Sequence, residues 1–269
     1  MNIKKALTIA GSDSGGGAGI QADLKTFQEL GVFGMSAITA ITAQNTLGVQ
    51  AVYPMGPVAV TSQMESIGED IGVDALKTGM LFNAEIIRAV SEKIKHYNWI
   101  KVVVDPVMIA KGGASLLQTE AISALKQYLL PLSMVVTPNI PEAEVLTGMS
   151  IKTMDDKQEA AKSLFDFGVK NVVIKGGHDE ETDDAVDILY DGNEFYYFTS
   201  KRILTKNTHG TGCTFSAAIT AELAKGSTIY DAVTTAKSFI QAAIEDELAI
   251  GAGHGPTNHW AFNCKRSGL

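Results

Sequence analysis

Cysteine is scarce: Cys213 and Cys264 are the two in 269 residues. They have no metal-ligand spacing, which excludes a zinc module and points to a reducing compartment. Long basic runs are missing as well, and the formal charge is −8. That argues against a nucleic-acid surface, although single lysines in a pocket remain available for phosphate. No apolar stretch reaches the length of about 20 residues that a bilayer span requires. The start, Met1-Asn2-Ile3-Lys4-Lys5, runs into a short strand with no signal-like core and no cleavage-like site. Repeats, linkers and low-complexity tracts are also missing. The expectation is one domain over residues 1–269, located in the cytoplasm, with no membrane or nucleic-acid partner and a homodimer or larger homo-oligomer as its assembled state.

What the chain does contain is alternation. Ala6 to Ala10 is a short apolar run, followed by the glycine-rich residues 15–19 and a helical pattern of Ile20, Leu24, Phe27 and Leu30 closed by Gly31. Further strand-like runs are Ser36 to Ala43, Ala75 to Leu81, Val102 to Val107, Met134 to Thr137 and Val172 to Ile174. Continuous apolar strands between helices predict an α/β fold, its mostly parallel central sheet covered on both faces. Ala185 to Tyr190 and Glu194 to Thr199 flank Asp191-Gly192 and predict a β-hairpin at the sheet edge.

Polar or glycine signatures follow these runs: Gly11-Ser12-Asp13, Gln44-Asn45, Thr78-Gly79-Met80, Asp105, Asn139 and Lys175-Gly176-Gly177. In open α/β sheets ligands bind outside the carboxyl ends of the strands. Six such ends with site-type residues exceed what turn chemistry alone would place there.

The most informative segment is Thr208-His209-Gly210-Thr211-Gly212-Cys213-Thr214. A helix follows, with an apolar stripe of Phe215, Ala218, Ile219 and Leu223 and with Gly226 as its C-cap. Glycines let consecutive amides aim at one spot, and the positive end of the helix dipole coincides with them. Such a turn binds phosphate, and a thiolate at Cys213 would be stabilised there. Alone, the pattern also reads as a plain strand-to-helix connection.

The other constellations are weaker singly. Ser14-Gly15-Gly16-Gly17-Ala18-Gly19 departs from the G-x-G-x-x-G spacing, and no acidic residue lies between Glu29 and Glu65. A dinucleotide site is therefore disfavoured, and a loop packed close to a small ligand fits better. Asn139 and Glu142 can share one face of an opening helical turn, as Mg²⁺ ligands or as a capping pair. Lys175 can meet polyphosphate or be a solvated lysine. Asp105 is a metal partner or a satisfied structural carboxylate. Gln44 can hydrogen-bond a heterocycle edge or neighbouring loop amides. His209 and His254 read as structural, and Cys264 carries no assignment.

Together these segments resemble the ribokinase superfamily, and within it the hydroxymethylpyrimidine/phosphomethylpyrimidine kinases of thiamine synthesis. The resemblance runs through residues 6–13, 16–26, 43–46, 77–80 and 105–108, Thr137-Pro138-Asn139 with Glu142, Lys175-Gly176-Gly177-His178, residues 208–214 and Gly253-His254-Gly255-Pro256. It implies a ribokinase-like fold, with ATP and Mg²⁺ as cofactors and a small pyrimidine as substrate, phosphorylated on its hydroxymethyl group and then on the monophosphate. It implies that Gln44 reads the pyrimidine among Gly11, Ala18, Asp23, Met80 and Val107. It implies ATP contacts at Asn139, Lys175, Gly177, Thr208, Gly210 and Gly212, with Glu142 and Asp105 near Mg²⁺. Gly210, Thr211, Gly212 and Cys213 would surround the transferred phosphoryl group, and Lys111-Gly112-Gly113 would belong to a cover. Most of the superfamily has an aspartate base where Cys213 stands. Pyridoxal kinases related to the pyrimidine enzymes share this cysteine but add another at the position of Ala110, so the pyrimidine is favoured and vitamin B6 kinase activity is the alternative.

Overall fold

The computed structural model describes residues 3–108, 119–177 and 184–267. The expectations placed on Ala110, on Lys111-Gly112-Gly113 and on His178 lie outside the described residues. In chain order the elements are β1 (Lys5–Ala10), α1 (Gly19–Glu29), β2 (Phe33–Ile38), β3 (Ala40–Asn45), β4 (Gly48–Pro54), α2 (Pro57–Asp70), β5 (Ala75–Thr78), α3 (Ala84–His96) and β6 (Val102–Val104). They continue with α4 (Thr119–Ala124), β7 (Val135–Val136), α5 (Ile140–Thr147), α6 (Met154–Phe165), β8 (Val172–Ile174), β9 (Asp184–Tyr190), β10 (Phe195–Lys201), α7 (Thr211–Lys225), α8 (Ile229–Glu245) and α9 (Ala261–Ser267).

The central sheet runs β10-β9-β8-β7-β6-β5-β1-β2. Strands β2 through β8 in that order pair in parallel, and the expected hairpin β9–β10 closes one edge antiparallel. The chain leaves β1 toward β2 and returns to its other side with β5, so a topological switch lies between β1 and β5. Alternation decides the layers. Val102 and Val104 pack with α2, α3, α5 and α6 residues, whereas Val103 packs with α1, α7 and α8 residues. Both faces are dry, which is why these strands read as unbroken valine.

Helix α7 corrects the single-stripe reading. Every residue from Thr214 to Ala224 is buried, because α7 lies between the sheet and α8. A helix buried all round has no polar face. Its small residues Ala217, Ala218, Ala221 and Ala224 let neighbours approach. Gly226 caps it as expected, with φ of 97°.

The run Ser36 to Ala43 is two strands, not one. It breaks at Thr39, whose N–H donates to Ala10 O (3.0 Å) and whose hydroxyl donates to Met80 O (2.6 Å). Strand β3 then leaves the main sheet and pairs only with β4, in a separate antiparallel ribbon. β-propensity marks a residue as extended without saying in which sheet. Likewise the Val102 to Val107 run pairs only as far as Val104, just before Asp105-Pro106; proline has no N–H for a ladder. Among the described residues no helix is long and apolar enough to cross a membrane.

Candidate active site

A cavity of about 580 Å³ opens at the carboxyl ends of the parallel strands. Gly11 after β1, Gly79 and Met80 after β5, Asp105 after β6, Asn139 after β7 and Lys175 after β8 all line it. This is the location that the switch point predicts. Gln44 reaches it by another route, from β3 of the small ribbon, where the register slips between Ala43 and Gln44. Ala18 and Val107 line it too, and Met80 packs against Gly11 so closely that a side chain at position 11 would meet Met80 Cε.

The glycine turn sits at the centre. Gly210 is the N-cap of α7 at φ of 85°, a left-handed conformation that glycine adopts without strain. Thr208, Thr211, Gly212 and Cys213 line the cavity beside it. The first-turn N–H groups of a helix have no intrahelical acceptor, so α7 turns an anion-seeking end into the cavity.

A second charged cluster faces that turn. Lys175 Nζ lies 3.1 Å from Asp105 Oδ1 and 4.0 Å from Glu142 Oε2. A methyl group on Gly212 would stand 3.3 Å from the same Nζ, which places the ammonium against the turn. Asp105 also accepts from the Ser216 hydroxyl (3.2 Å). Asn139 and Glu142 form a reciprocal capping box at the start of α5: Glu142 N–H donates to Asn139 Oδ1, and Asn139 N–H donates to Glu142 Oε2, each at 2.8 Å. The capping reading of this pair is therefore what the geometry shows, and Glu142 still reaches the cavity. Burial, above all, pushes the Glu142 carboxyl up to about 7, with Lys175 opposing and the Asp105 charge adding to the rise.

Two expectations change. Asp23 does not line the cavity. It is fully buried under it, paired with Lys77 (2.7 Å) and accepting from the Thr8 hydroxyl (2.6 Å). Lys77 lines the cavity in its place and also donates to Cys213 O at 3.4 Å. The second correction concerns Cys213. It is partly accessible, but burial pushes its thiol up to about 12; Lys77 pulls it down, and Asp23 and Asp105 add to the rise. Burial outweighs the helix end and Lys77 here, and the charges of Asp23 and Asp105 add to it, so the thiol stays protonated.

Sequence reasoning missed the pair beside Gln44. His209 Nε2 lies 2.7 Å from Asp13 Oδ2 and 3.3 Å from Gln44 Nε2. Asp13 also accepts from the N–H groups of Gly15 (2.8 Å), Gly17 (3.1 Å) and Ala18 (2.8 Å) and so folds the glycine loop. Burial alone would raise the Asp13 carboxyl; His209 and the loop amides hold it below the usual carboxylate range. Asp13 stood in a strand-end motif, which was a usable signal. His209 lay inside the phosphate motif and read as structural. The far limb of the cavity, lined by Ala185, Arg202, Ile240, Gln241 and Ile244, had no signal in the sequence because it is assembled from β9, α8 and a loop.

Comparison with known proteins agrees with this geometry. Residues 13–258 match the family described as phosphomethylpyrimidine kinase. A hydroxymethylpyrimidine/phosphomethylpyrimidine kinase of Bacillus subtilis is 57% identical over 269 residues, covering 100% of this chain and 98% of its own. A thiamine biosynthesis bifunctional protein of Geobacter sulfurreducens is 54% identical over 94% of this chain, which matches 51% of the longer protein. The solved ADP complex of a Bacillus subtilis pyridoxal kinase superposes with a TM-score of 0.92 at 48% identity, over 97% of this chain and 99% of that one. The fold is ribokinase-like as expected, and the chain belongs to the phosphomethylpyrimidine kinase family.

Proposed function

We propose that this chain is an ATP-dependent kinase that phosphorylates 4-amino-5-hydroxymethyl-2-methylpyrimidine and then its monophosphate, in thiamine biosynthesis. The observation that carries the reading is the position of the Gly210–Cys213 turn. It stands between a polar heterocycle end, at Gln44, and a charged end, at Lys175, inside one cavity. Phosphoryl transfer asks a protein mainly for positioning and charge stabilisation, and both are built here.

The nucleotide lies along the far limb, its base against Ile240 and Ile244 and its phosphates toward Lys175, Thr208 and the amides of Gly210 and Gly212. The pyrimidine lies among Gly11, Ala18, Met80 and Val107 with Gln44 at its polar edge. Lys175 and the turn amides stabilise charge on the transferred group. The thiol of Cys213 orients the hydroxymethyl group; a neutral thiol suits that role better than the role of a resident base. Asp105 and Glu142 converge on the Lys175 ammonium, and Lys77 acts on Asp105 from beneath. That donor set fits Mg²⁺, which keeps waters and takes one or two carboxylates together with phosphates. When bound, the ion would neutralise phosphate charge beside Glu142 and Asp105.

The chain works as one domain in the cytoplasm. Ile41 and Tyr53 face each other across the small ribbon and are about half exposed (49% and 61%), which supports assembly with a second copy. A second reading, pyridoxal phosphorylation, is favoured by the likeness to the pyridoxal kinase. The experiment that tests both is turnover of ATP with Mg²⁺ against hydroxymethylpyrimidine, its monophosphate and pyridoxal side by side. Dominant use of the two pyrimidines is expected; substrate-independent ATP hydrolysis at the same rate would refute a kinase.

A further inference from the structure

Four polar side chains from three segments meet at the substrate end of the cavity: Asp13, Thr42, Gln44 and His209. Proton accounting fixes their directions. A bare ring nitrogen 2.7 Å from a carboxylate oxygen would oppose two lone pairs, so His209 Nε2 carries a hydrogen and donates to Asp13. The Thr42 hydroxyl donates to Ser12 O at 2.8 Å, which uses its only hydrogen, so toward Gln44, 3.3 Å away, it accepts. An amide's oxygen and nitrogen are told apart only by such partners. The consistent arrangement turns the Gln44 nitrogen to Thr42 and the Gln44 oxygen toward the N–H of His209, a hydrogen given chiefly to Asp13 at 2.7 Å and shared with the amide at 3.3 Å.

We infer that Asp13 and His209 are positioning residues that set the polarity of the Gln44 amide, and so select a heterocycle presenting an acceptor ring nitrogen. The remaining Gln44 N–H is then a fixed donor for the substrate. The inference rests on the reading of Gln44 as the heterocycle contact. It also gives the Gly253-His254-Gly255-Pro256 segment a use. His209 N–H donates to Gly255 O (3.0 Å), and Thr257 N–H donates to His209 O (3.3 Å). His254 N–H donates to Thr46 O (2.8 Å), at the end of the ribbon that carries Gln44. The segment therefore anchors the backbones of both His209 and the Gln44 ribbon. His209 is also the neighbour of Gly210, so one residue joins the amide that reads the ring to the turn that holds phosphate.

A double-mutant cycle on the full chain tests this, with hydroxymethylpyrimidine and ATP as the varied substrates. His209→Ala is expected to raise KM for the pyrimidine about tenfold, the effect of one lost hydrogen bond, with KM for ATP almost unchanged. His209→Gln retains an N–H for Asp13 and should recover most of the loss. In a Gln44→Ala background, His209→Ala should add less than about a factor of two, because residues acting through one contact are not additive. Additive losses, or an ATP KM that rises together with the pyrimidine KM, would overturn the inference and leave the reading of Gln44 intact. An unchanged pyrimidine KM in Gln44→Ala alone would overturn both. Should His209→Ala not fold, Thr42→Val removes the other partner of the amide and is expected to raise the same KM; no change there would also overturn it.

Discussion

Lys77 Nζ lies 2.7 Å from Asp23 Oδ1, and neither side chain has any exposure. The pair sits beneath the Gly210–Cys213 turn, where Lys77 also reaches Cys213 O. Burial disfavours an ammonium, but Asp23, with the Cys213 and Asp105 sites adding to it, outweighs burial and holds Lys77 protonated above its usual range.

Removing one partner strands the other charge. Lys77→Met or Asp23→Leu alone should cost about 3–5 kcal/mol of unfolding free energy, and the two together less than the sum. Urea unfolding of the three variants checks this. Equal, additive and small losses would mean that the pair is solvated and not part of the core.

Gly210 and Gly212 should behave differently when replaced by alanine. A methyl group at Gly210 would lie 1.7 Å from Gly17 O on a backbone at φ of 85°, so Gly210→Ala should lower stability and solubility outright. At Gly212 the nearest atom is the flexible end of Lys175, at 3.3 Å. Gly212→Ala should therefore fold normally and lose ATP affinity, by roughly tenfold if one amide contact is blocked. Thermal unfolding together with ATP titration separates the two outcomes. A Gly212→Ala variant with unchanged ATP affinity would remove the turn from the phosphate site.

Much of this was legible in the residues. Runs such as Val102 to Val104 and Val172 to Ile174 name buried parallel strands because a strand dry on both faces has no polar alternation. Residues next to each other in sequence that act together, such as Gly210 to Cys213, were legible for the same local reason. Pairings across the fold were not. Lys77 and Asp23 are 54 positions apart and Asp13 and His209 are 196 apart. Only the sheet order brings them together. The acidity of Cys213 failed on the same ground: a helix end is visible in sequence, whereas the burial of the thiol, and the Asp23 and Asp105 charges that add to it, are set by the fold.

Glu142 gives the unliganded chain a pH signature. Its carboxyl is raised from 4.5 to about 7 in the folded state, chiefly by burial. Unfolding therefore releases its proton between those values. Its contribution to stability is complete below about pH 4.5 and is lost as the pH rises through about 7. Glu142→Gln keeps a capping acceptor for Asn139 N–H and removes the titration. The melting temperature of the wild type should fall more steeply than that of the variant over this range. The variant should also need more Mg²⁺ for half-maximal turnover. Parallel melting curves would show that Glu142 is ionised throughout.

On the proposed reading Cys213 orients the hydroxymethyl group. With its thiol pushed up to about 12, it is almost entirely protonated in the unliganded chain. Iodoacetamide near neutral pH should therefore modify Cys264, on α9, before Cys213, contrary to the order that a helix end alone suggests. A thiol that only orients the hydroxyl leaves the turn amides and Lys175 in charge of the chemistry. Cys213→Ala should then lose no more than about 10²-fold in kcat, the low end of the general-base range, with ATP affinity unchanged. Cys213→Asp adds charge next to Asp23 and Asp105, so it should harm the phosphate-bearing second substrate more than the first. Single-turnover rates on both pyrimidines measure this. A loss of about 10⁴-fold in Cys213→Ala, with faster alkylation of Cys213 than of Cys264, would make the thiolate the working base and reverse the assignment.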